Sequence, residues 1–267
     1  MPFADSDGLR IYYDDMGEGE PVLLCLPGWC CHHTMFEPTF AERLSANHRV
    51  LVIDWRGHGR SQAPERDFGF AELANDALSV IQESGAQSVI PIAQGQAPWV
   101  DIELRRRLGE RVPKMVAVSW PTITTGGNPL SPLFLSVLQG WQDQARWHEA
   151  SEQALKMWLS GAPTSVQTQM RNEMGSHGFE MWSRAGREIS ARYAHQGEPL
   201  EALSTLSPPV PVLHVYAQPP APEYLLAQEE FARDHPWFHV RHLPGVSQFP
   251  TLEVPEKSAA AIEEFIR

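Results

Sequence analysis

The stretch that most constrains the fold of this chain is Ser88–Leu104, which reads SVIPIAQGQAPWVDIEL. It opens with a short apolar run, Val89–Ala93, of the length typical of a buried parallel strand. Apolar residues then recur at helical spacing over Trp99–Leu108. Only the small residues of Ala93–Ala97 separate the two elements. A strand and a helix joined by so sharp a turn predict one strand–helix unit of a parallel sheet, with Gly95 at the turn.

The same alternation of strands and helices extends along most of the chain. We expect further strands at Leu9–Asp14, Pro21–Leu26, Arg49–Ile53, Met115–Val118, Val210–Tyr216 and Phe238–Leu243. We expect further helices at Phe36–Leu44, Phe70–Glu83, Pro220–Pro236 and Pro255–Arg267. Because most of these strands are apolar throughout, the pattern is typical of an α/β protein whose mostly parallel sheet is covered by helices on both faces.

Between residues 122 and 199 the pattern changes. This segment is rich in helical periodicity, for example at Leu133–Trp141 and Ala154–Gly161, and contains no convincing strand. It also holds four tryptophans, Trp141, Trp147, Trp158 and Trp182. We therefore expect an α/β core of residues 1–121 and 200–267 and an inserted helical cap of residues 122–199 over the mouth of the sheet.

Composition limits the partners that the chain can have. Its formal charge of −12 repels phosphates, so we expect neither nucleic acid nor an anionic membrane as a main partner. No apolar run is long enough for a membrane span, and no basic-then-apolar leader opens the sequence. Nine tryptophans against five tyrosines fit a well-packed core, and flat walls for an aromatic ligand are the alternative explanation.

The cysteines point to the compartment. Cys25, Cys30 and Cys31 are odd in number and two are adjacent, which is not a disulfide framework and fits a reducing cytoplasm. Because no cysteine or histidine spacing of the zinc type occurs, we predict no metal site.

Two loops resemble those of the α/β-hydrolase fold, which the pattern of strands and helices also fits. Pro27 and Gly28 follow a buried strand, where that fold places one backbone donor of an oxyanion hole, in this chain the N–H of Trp29. The loop DWRGHGRS at Asp54–Ser61 resembles the D-x-R-G-x-G-x-S loop of the same fold, whose residues normally hold the loop and do no chemistry.

The catalytic groups of such a hydrolase are missing. The position of the nucleophile, on the turn after the central strand, holds Gly95, which has no side chain that could attack. The loop after the last strand reads GVSQFP, with Gln248 where a histidine is expected. An amide does not titrate near neutral pH and cannot act as a general base. A conventional esterase is therefore only a remote alternative.

A more specific resemblance covers most of the chain, including the cap. The segments that carry it are LPGWC at Leu26–Cys30, PWV at Pro98–Val100, MWLSG at Met157–Gly161, APEY at Ala221–Tyr224, DHPWF at Asp234–Phe238 and QFP at Gln248–Pro250. They resemble the cofactor-independent 3-hydroxy-4-oxoquinoline and 3-hydroxy-4-oxoquinaldine 2,4-dioxygenases. In that family a histidine supported by a carboxylate removes the proton of the substrate's 3-hydroxyl group. The electron-rich anion reacts directly with dioxygen, the ring opens and carbon monoxide leaves, without metal or flavin.

The resemblance implies roles for single residues. Trp29 matches the family's oxyanion-loop tryptophan, and Trp158 matches a cap tryptophan that lines the substrate site. Gly95 stands at the family's serine, and Gln94 and Gln96 stand at the histidines that flank it.

The acid–base positions also differ from the family. Gln248 stands at the catalytic histidine. Ser119 stands at the supporting aspartate, and Trp120 follows it as in the family's Asp-Trp pair, which makes Trp120 a further candidate for ligand contact. Cys31 falls at or beside another pocket histidine, with His33 close by.

Two hypotheses of different classes follow. In the first, the protein binds a quinolone-like or other bicyclic aromatic between core and cap and acts on it without a Ser-His-Asp triad and without a cofactor, with dioxygen as co-substrate in the dioxygenase version. The amides of Trp29 and Gln96 would hold an oxyanion, and His32, His33 or Cys31 would replace the base. In the second, the protein is a non-catalytic pseudoenzyme that binds or senses an aromatic metabolite.

Overall fold

The computed structural model describes residues 2–121 and 132–267. Eight strands form one sheet in the order β1-β2-β4-β3-β5-β6-β7-β8. The strands are β1 Phe3–Ser6, β2 Leu9–Met16, β3 Val22–Leu26, β4 Val50–Ile53, β5 Val89–Gln94, β6 Met115–Val118, β7 Val212–Tyr216 and β8 Phe238–His242. β2 runs antiparallel to both β1 and β4, and all other neighbours are parallel. The predicted α/β class with a mostly parallel sheet is confirmed.

Helices cover this sheet on both faces. The helices are α1 Thr39–Ser45, α2 Phe70–Glu83, α3 Pro98–Leu108, α4 Pro132–Gln142, α5 Trp147–Trp158, α6 Thr164–Gly175, α7 Phe179–Gln196, α8 Pro199–Ser204, α9 Pro222–Asp234, α10 Pro250–Glu253 and α11 Pro255–Ile266. Every residue of β3 through β7 is buried, which is why these strands are apolar except for Gln94 at the end of β5 and His214 in β7. None of the described helices is long and apolar enough to cross a lipid bilayer.

Strand β1 is an element that the sequence analysis missed. It pairs with β2 through a tight turn at Asp7 and Gly8, whose φ angles are 55° and 81°. Positive φ at both central residues is the geometry of a type I′ hairpin, for which Asp-Gly is a preferred pair. The dipeptide was therefore a usable signal for this hairpin.

The predicted helix Phe36–Leu44 is wrong at its start. His33–Phe36 forms a short 3₁₀ turn instead, and α1 begins only at Thr39. Glu37 between them is extended, with φ −110° and ψ 160°. Proline disfavours the α conformation of the residue before it, so Pro38 separates the two helical segments.

The segment expected to form a cap consists of helices in its described part. It holds α4, α5, α6 and α7, which we call the inserted helices, and no strand occurs among residues 132–204. α4 and α7 pack on each other, and α5 packs on both of them. The start of the predicted cap, at residues 122–131, lies outside the described residues, so its boundary stays a prediction.

Candidate functional site

A cavity of about 220 Å³ lies between the carboxyl ends of the central strands and the inserted helices. Its wall on the sheet side includes Gly28, Trp29, Cys31, Gln94, Gly95, Gln96, Ser119 and Gln248. Its wall on the side of the inserted helices includes Phe134, Trp141, Met157, Trp158, Trp182 and Tyr193. The site thus combines neutral polar groups on one side with aromatic rings on the other.

The turn between β5 and α3 is the floor of this cavity. Gly95 has φ 62°, and its amide donates a 2.9 Å hydrogen bond to the carbonyl oxygen of Val118 at the end of β6. A Cβ atom built on Gly95 would meet no atom within 4 Å. The turn therefore keeps the strained conformation that a nucleophile-bearing turn needs, with open space where a side chain would project.

Two backbone amides are available above this turn. Within residues 2–121 and 132–267, neither the Trp29 nor the Gln96 amide donates a backbone hydrogen bond. The Trp29 ring is held in place because it stacks on Phe68, with centroids 5.8 Å apart, and meets Phe70 edge-on. The loop below is fixed by a 3.1 Å hydrogen bond from the Cys30 amide to Nε2 of His58. This arrangement is suited to holding a developing oxyanion.

The loop after β8 is attached to both walls of the cavity. Nε2 of Gln94 donates a 2.6 Å hydrogen bond to the backbone carbonyl of Gln248. The Gln248 amide in turn donates a 3.0 Å hydrogen bond to the carbonyl of Trp158, the last residue of α5. The position of Gln248 over the cavity is therefore set through its main chain, which is bonded to Gln94 on one side and to Trp158 on the other.

Ser119 lines the cavity directly after the end of β6. It adopts φ 50°, and its amide donates to the carbonyl of Val215 on β7. Its hydroxyl is buried and has no hydrogen-bond partner among the described residues. A buried hydroxyl without a partner has a free-energy cost, so this group is able to contribute a hydrogen bond to a ligand.

Cys31 and Tyr193 are the ionisable side chains in the described lining, and neither is a base at neutral pH. Burial raises the pKa of the Cys31 thiol well above its usual value. Burial likewise raises the pKa of the Tyr193 phenol, whose hydroxyl donates to the carbonyl of Pro121. Among the described lining residues there is no imidazole, carboxylate or ammonium group. The described lining is consequently neutral and offers no general base.

Eight of the ten residues predicted for the site line this one cavity, namely Trp29, Cys31, Gln94, Gly95, Gln96, Ser119, Trp158 and Gln248. The structure places Trp120 elsewhere, against Trp99, with ring centroids 5.1 Å apart and edge-on. It also places His33 outside the lining, with Nδ1 2.9 Å from both carboxylate oxygens of Asp54. His32, a further candidate base, packs on the ring of His177. None of the histidines proposed as a replacement base reaches the cavity.

The structure also shows side chains that the sequence analysis missed. Trp182, Ala185, Ile189 and Tyr193 lie at helical spacing along α7 and all line the cavity. Such a stripe on one helix face was visible in the sequence, but it predicts burial and not the nature of what is buried against it.

Elsewhere in the described chain, His33 lies with Asp14 and Glu37 in a group of potential metal ligands.

Comparisons with known proteins agree with this geometry. The family model for the α/β hydrolase fold matches residues 21–94. A 2-heptyl-3-hydroxy-4(1H)-quinolone dioxygenase of Mycobacteroides abscessus is 35% identical and covers 95% of this chain and 93% of its own length. A 1H-3-hydroxy-4-oxoquinoline 2,4-dioxygenase of Pseudomonas putida is 33% identical, over 100% of both proteins.

Solved structures extend the likeness to the fold. The structure of 1H-3-hydroxy-4-oxoquinoline 2,4-dioxygenase superposes with a TM-score of 0.92 at 33% identity, over 100% of both chains. A second solved structure is that of an AqdC variant in complex with its substrate, described as a basis for recognition and ring-cleavage of the Pseudomonas quinolone signal. It superposes with a TM-score of 0.91 at 33% identity, and the match covers 98% of this chain and 97% of that chain. Likeness of this extent in both sequence and structure shows that the chain belongs to the quinolone 2,4-dioxygenase family, built on the α/β-hydrolase fold.

Proposed function

We propose that this protein binds a quinolone-like or other bicyclic aromatic between the sheet and the inserted helices, which act as a cap, and acts on it without a Ser-His-Asp triad. The observation that carries the proposal is a cavity with aromatic walls and neutral hydrogen-bonding groups in which the described lining offers no base. The relatives that are named for 3-hydroxy-4-quinolone substrates supply the ligand class.

The aromatic walls favour a flat ligand. Trp141 meets Trp158 edge-on at 5.9 Å and Trp182 edge-on at 4.9 Å, so the three indoles form one continuous surface. Trp29 lies on the sheet side of the same cavity. Indole rings give a fused bicyclic ring a large contact area at low cost in side-chain entropy. A small number of neutral polar groups, among them Gln94 and Ser119, then orient the ligand.

Without a base in the cavity, the ligand must reach it already ionised or be ionised by water. The Trp29 and Gln96 amides would stabilise the resulting oxyanion, and the walls would fix its orientation toward dioxygen. The rate would then depend on the fraction of ligand that is ionised in solution. We therefore expect turnover to rise with pH up to the pKa of the ligand's own hydroxyl group, with no inflection near the pKa of an imidazole.

The lack of a base also favours a second function, that of a non-catalytic protein that sequesters or senses an aromatic metabolite. Both functions use the same cavity and the same contacts. They differ only in whether the bound ligand is consumed.

One titration separates these outcomes. 3-Hydroxy-4-quinolones are added under air while tryptophan fluorescence, ligand absorbance and carbon monoxide are followed. Quenching with slow, pH-dependent ring cleavage supports the first function, and quenching with unchanged ligand supports the second. If no aromatic heterocycle changes the fluorescence or the melting temperature, both proposals fail.

A paired variant tests whether only the base is missing. In Gln248→His combined with Ser119→Asp, we expect ring cleavage to appear or to accelerate by at least about a hundredfold, which is the usual contribution of a general base. The matched control is Gln153→His, which adds an imidazole at an exposed position on α5 and is expected to change nothing. Failure of the pair to cleave a ligand that it demonstrably binds would contradict the dioxygenase version.

A further inference from the structure

Three side chains with metal-ligating atoms meet outside the cavity. Asp14 lies on β2, His33 begins the 3₁₀ turn after β3, and Glu37 follows that turn. One imidazole nitrogen and one carboxylate oxygen from each acid all lie within 4.8 Å of one another. None of the three residues lines the cavity.

The imidazole is oriented by a buried carboxylate. Nδ1 of His33 lies 2.9 Å from both carboxylate oxygens of Asp54, whose side chain is fully buried. The His33 amide donates a 2.7 Å hydrogen bond to the same carboxylate. With Nδ1 bound to Asp54, Nε2 is the nitrogen left to coordinate. The His33 side chain is only 5% exposed, so this nitrogen is largely shielded from solvent. A carboxylate–histidine pair of this kind is the usual support of a metal-bound imidazole.

The charges around the group favour a divalent cation. Asp14, Glu37 and Asp54 bring three negative charges, and the Arg60 guanidinium, bound to the hydroxyl of Tyr12, brings one positive charge. The Tyr12 hydroxyl also contacts Asp14. With a neutral imidazole, two negative charges remain, and one divalent ion would balance them.

We propose that Asp14, His33 and Glu37 bind one divalent transition-metal ion. One imidazole nitrogen with two carboxylate oxygens suits Mn²⁺ or Zn²⁺ better than Mg²⁺ or Ca²⁺, which prefer oxygen ligands alone. Metal–ligand bonds of about 2.1 Å place two ligands at most about 4.2 Å apart, so the side chains need to move by less than about 1 Å.

The ion would stabilise the fold and would not take part in a reaction. It would join β2 to the segment that leaves the oxyanion loop, since His33 lies four residues after Trp29. A metal that binds the folded chain and not the unfolded one raises the melting temperature with its concentration.

The test uses the full chain after treatment with a chelator and dialysis. Mn²⁺ is titrated in and the loss of its free electron-paramagnetic-resonance signal is recorded, with Zn²⁺ as competitor. We expect one equivalent to bind, and the melting temperature to rise by about 5 °C at a hundredfold excess over Kd. A folded chain that binds no equivalent of either ion, with an unchanged melting temperature, overturns the proposal.

Variants locate the ion. Glu37→Gln keeps the side-chain shape and removes one charged ligand, so Mn²⁺ affinity should fall by at least about tenfold. Asp14→Asn should do the same, and Glu42→Gln, at an exposed position on α1, should leave the affinity unchanged. His33 is buried, and its replacement could unfold the chain. The test therefore uses variants of the two acids. Wild-type affinity in a folded Glu37→Gln variant would place the metal elsewhere and overturn the proposal.

Discussion

Gly95 adopts a backbone conformation that residues with a side chain rarely take, yet it faces open space. In Gly95→Ala the added methyl group meets nothing within 4 Å, so only the backbone strain at φ 62° remains. We expect a loss of about 1–2 kcal/mol in the free energy of unfolding, measured by urea denaturation.

Gly59 is the matched comparison for this substitution. It also has a positive φ, of 50°, but a Cβ atom there would collide with the carboxylate of Asp54, which orients His33. Gly59→Ala should therefore cost about 3 kcal/mol or more. Equal losses in the two variants would show that the space above Gly95 is not open.

Helix α5 carries two tryptophans, of which only one lines the cavity. Trp158 ends the helix and borders the cavity, whereas Trp147 begins it and packs on His148 and Phe179. If a quinolone occupies the cavity, Trp158→Ala should raise its Kd by at least about tenfold because a ring contact is lost. Trp147→Ala on the same helix should leave Kd unchanged. Equal effects, measured by isothermal titration calorimetry, would argue against a ligand at this wall.

A side chain of β5 is one of the groups that hold the loop after β8. Gln94→Met keeps the volume but leaves the backbone carbonyl of Gln248 without its 2.6 Å hydrogen bond. We expect a loss of about 1 kcal/mol in the free energy of unfolding, since the carbonyl that loses its donor is only partly buried. Amide hydrogen exchange should also accelerate in residues 244–250. Unchanged exchange there, in a variant that is otherwise folded, would contradict this role of Gln94.

At the scale of the whole molecule, two buried histidines, His58 and His214, and the half-buried His177 couple stability to pH. Burial lowers the pKa of His58 to about 3 and of His177 and His214 to about 4. These groups stay neutral in the folded chain but take up a proton near pH 6.5 when the chain unfolds. Each therefore weakens the fold as the pH drops from about 6.5 toward its folded pKa, and has no such effect above that range.

His177 is the histidine to test, since it lies between α6 and α7 and its Nε2 atom has no partner among the described residues. Relative to the wild type, His177→Gln should gain stability by about 1 kcal/mol for each pH unit between pH 6.5 and 4. His148→Gln, at an exposed position on α5, should run parallel to the wild type. If urea denaturation at several pH values gave parallel curves for both variants, burial of His177 would not be what weakens the fold in acid.

Much of the fold and most of the candidate site could be predicted from local sequence. The apolar run and small-residue turn around Gly95 gave the central strand, the turn and the helix within one or two residues. The Asp7-Gly8 turn and the break at Pro38 were present in the sequence and were not used. Trp120 and His33 could not be placed, because a one-residue step along a strand end or loop decides whether a side chain faces the cavity or the core.

The sequence by itself determined which chemical groups the chain has at its strand ends: a glycine on the turn, amides and a hydroxyl where a hydrolase needs an acid and a base. The strand ends that carry these groups follow from the pattern alone, because strand period and turn composition are local properties, whereas their match to acid and base positions is what the family resemblance implies. Only the tertiary structure decided which groups share a cavity, that the candidate histidines lie outside it, and that His33 meets Asp14 and Glu37. Such neighbours are far apart along the chain, and the packing of the whole sheet and its helices brings them together.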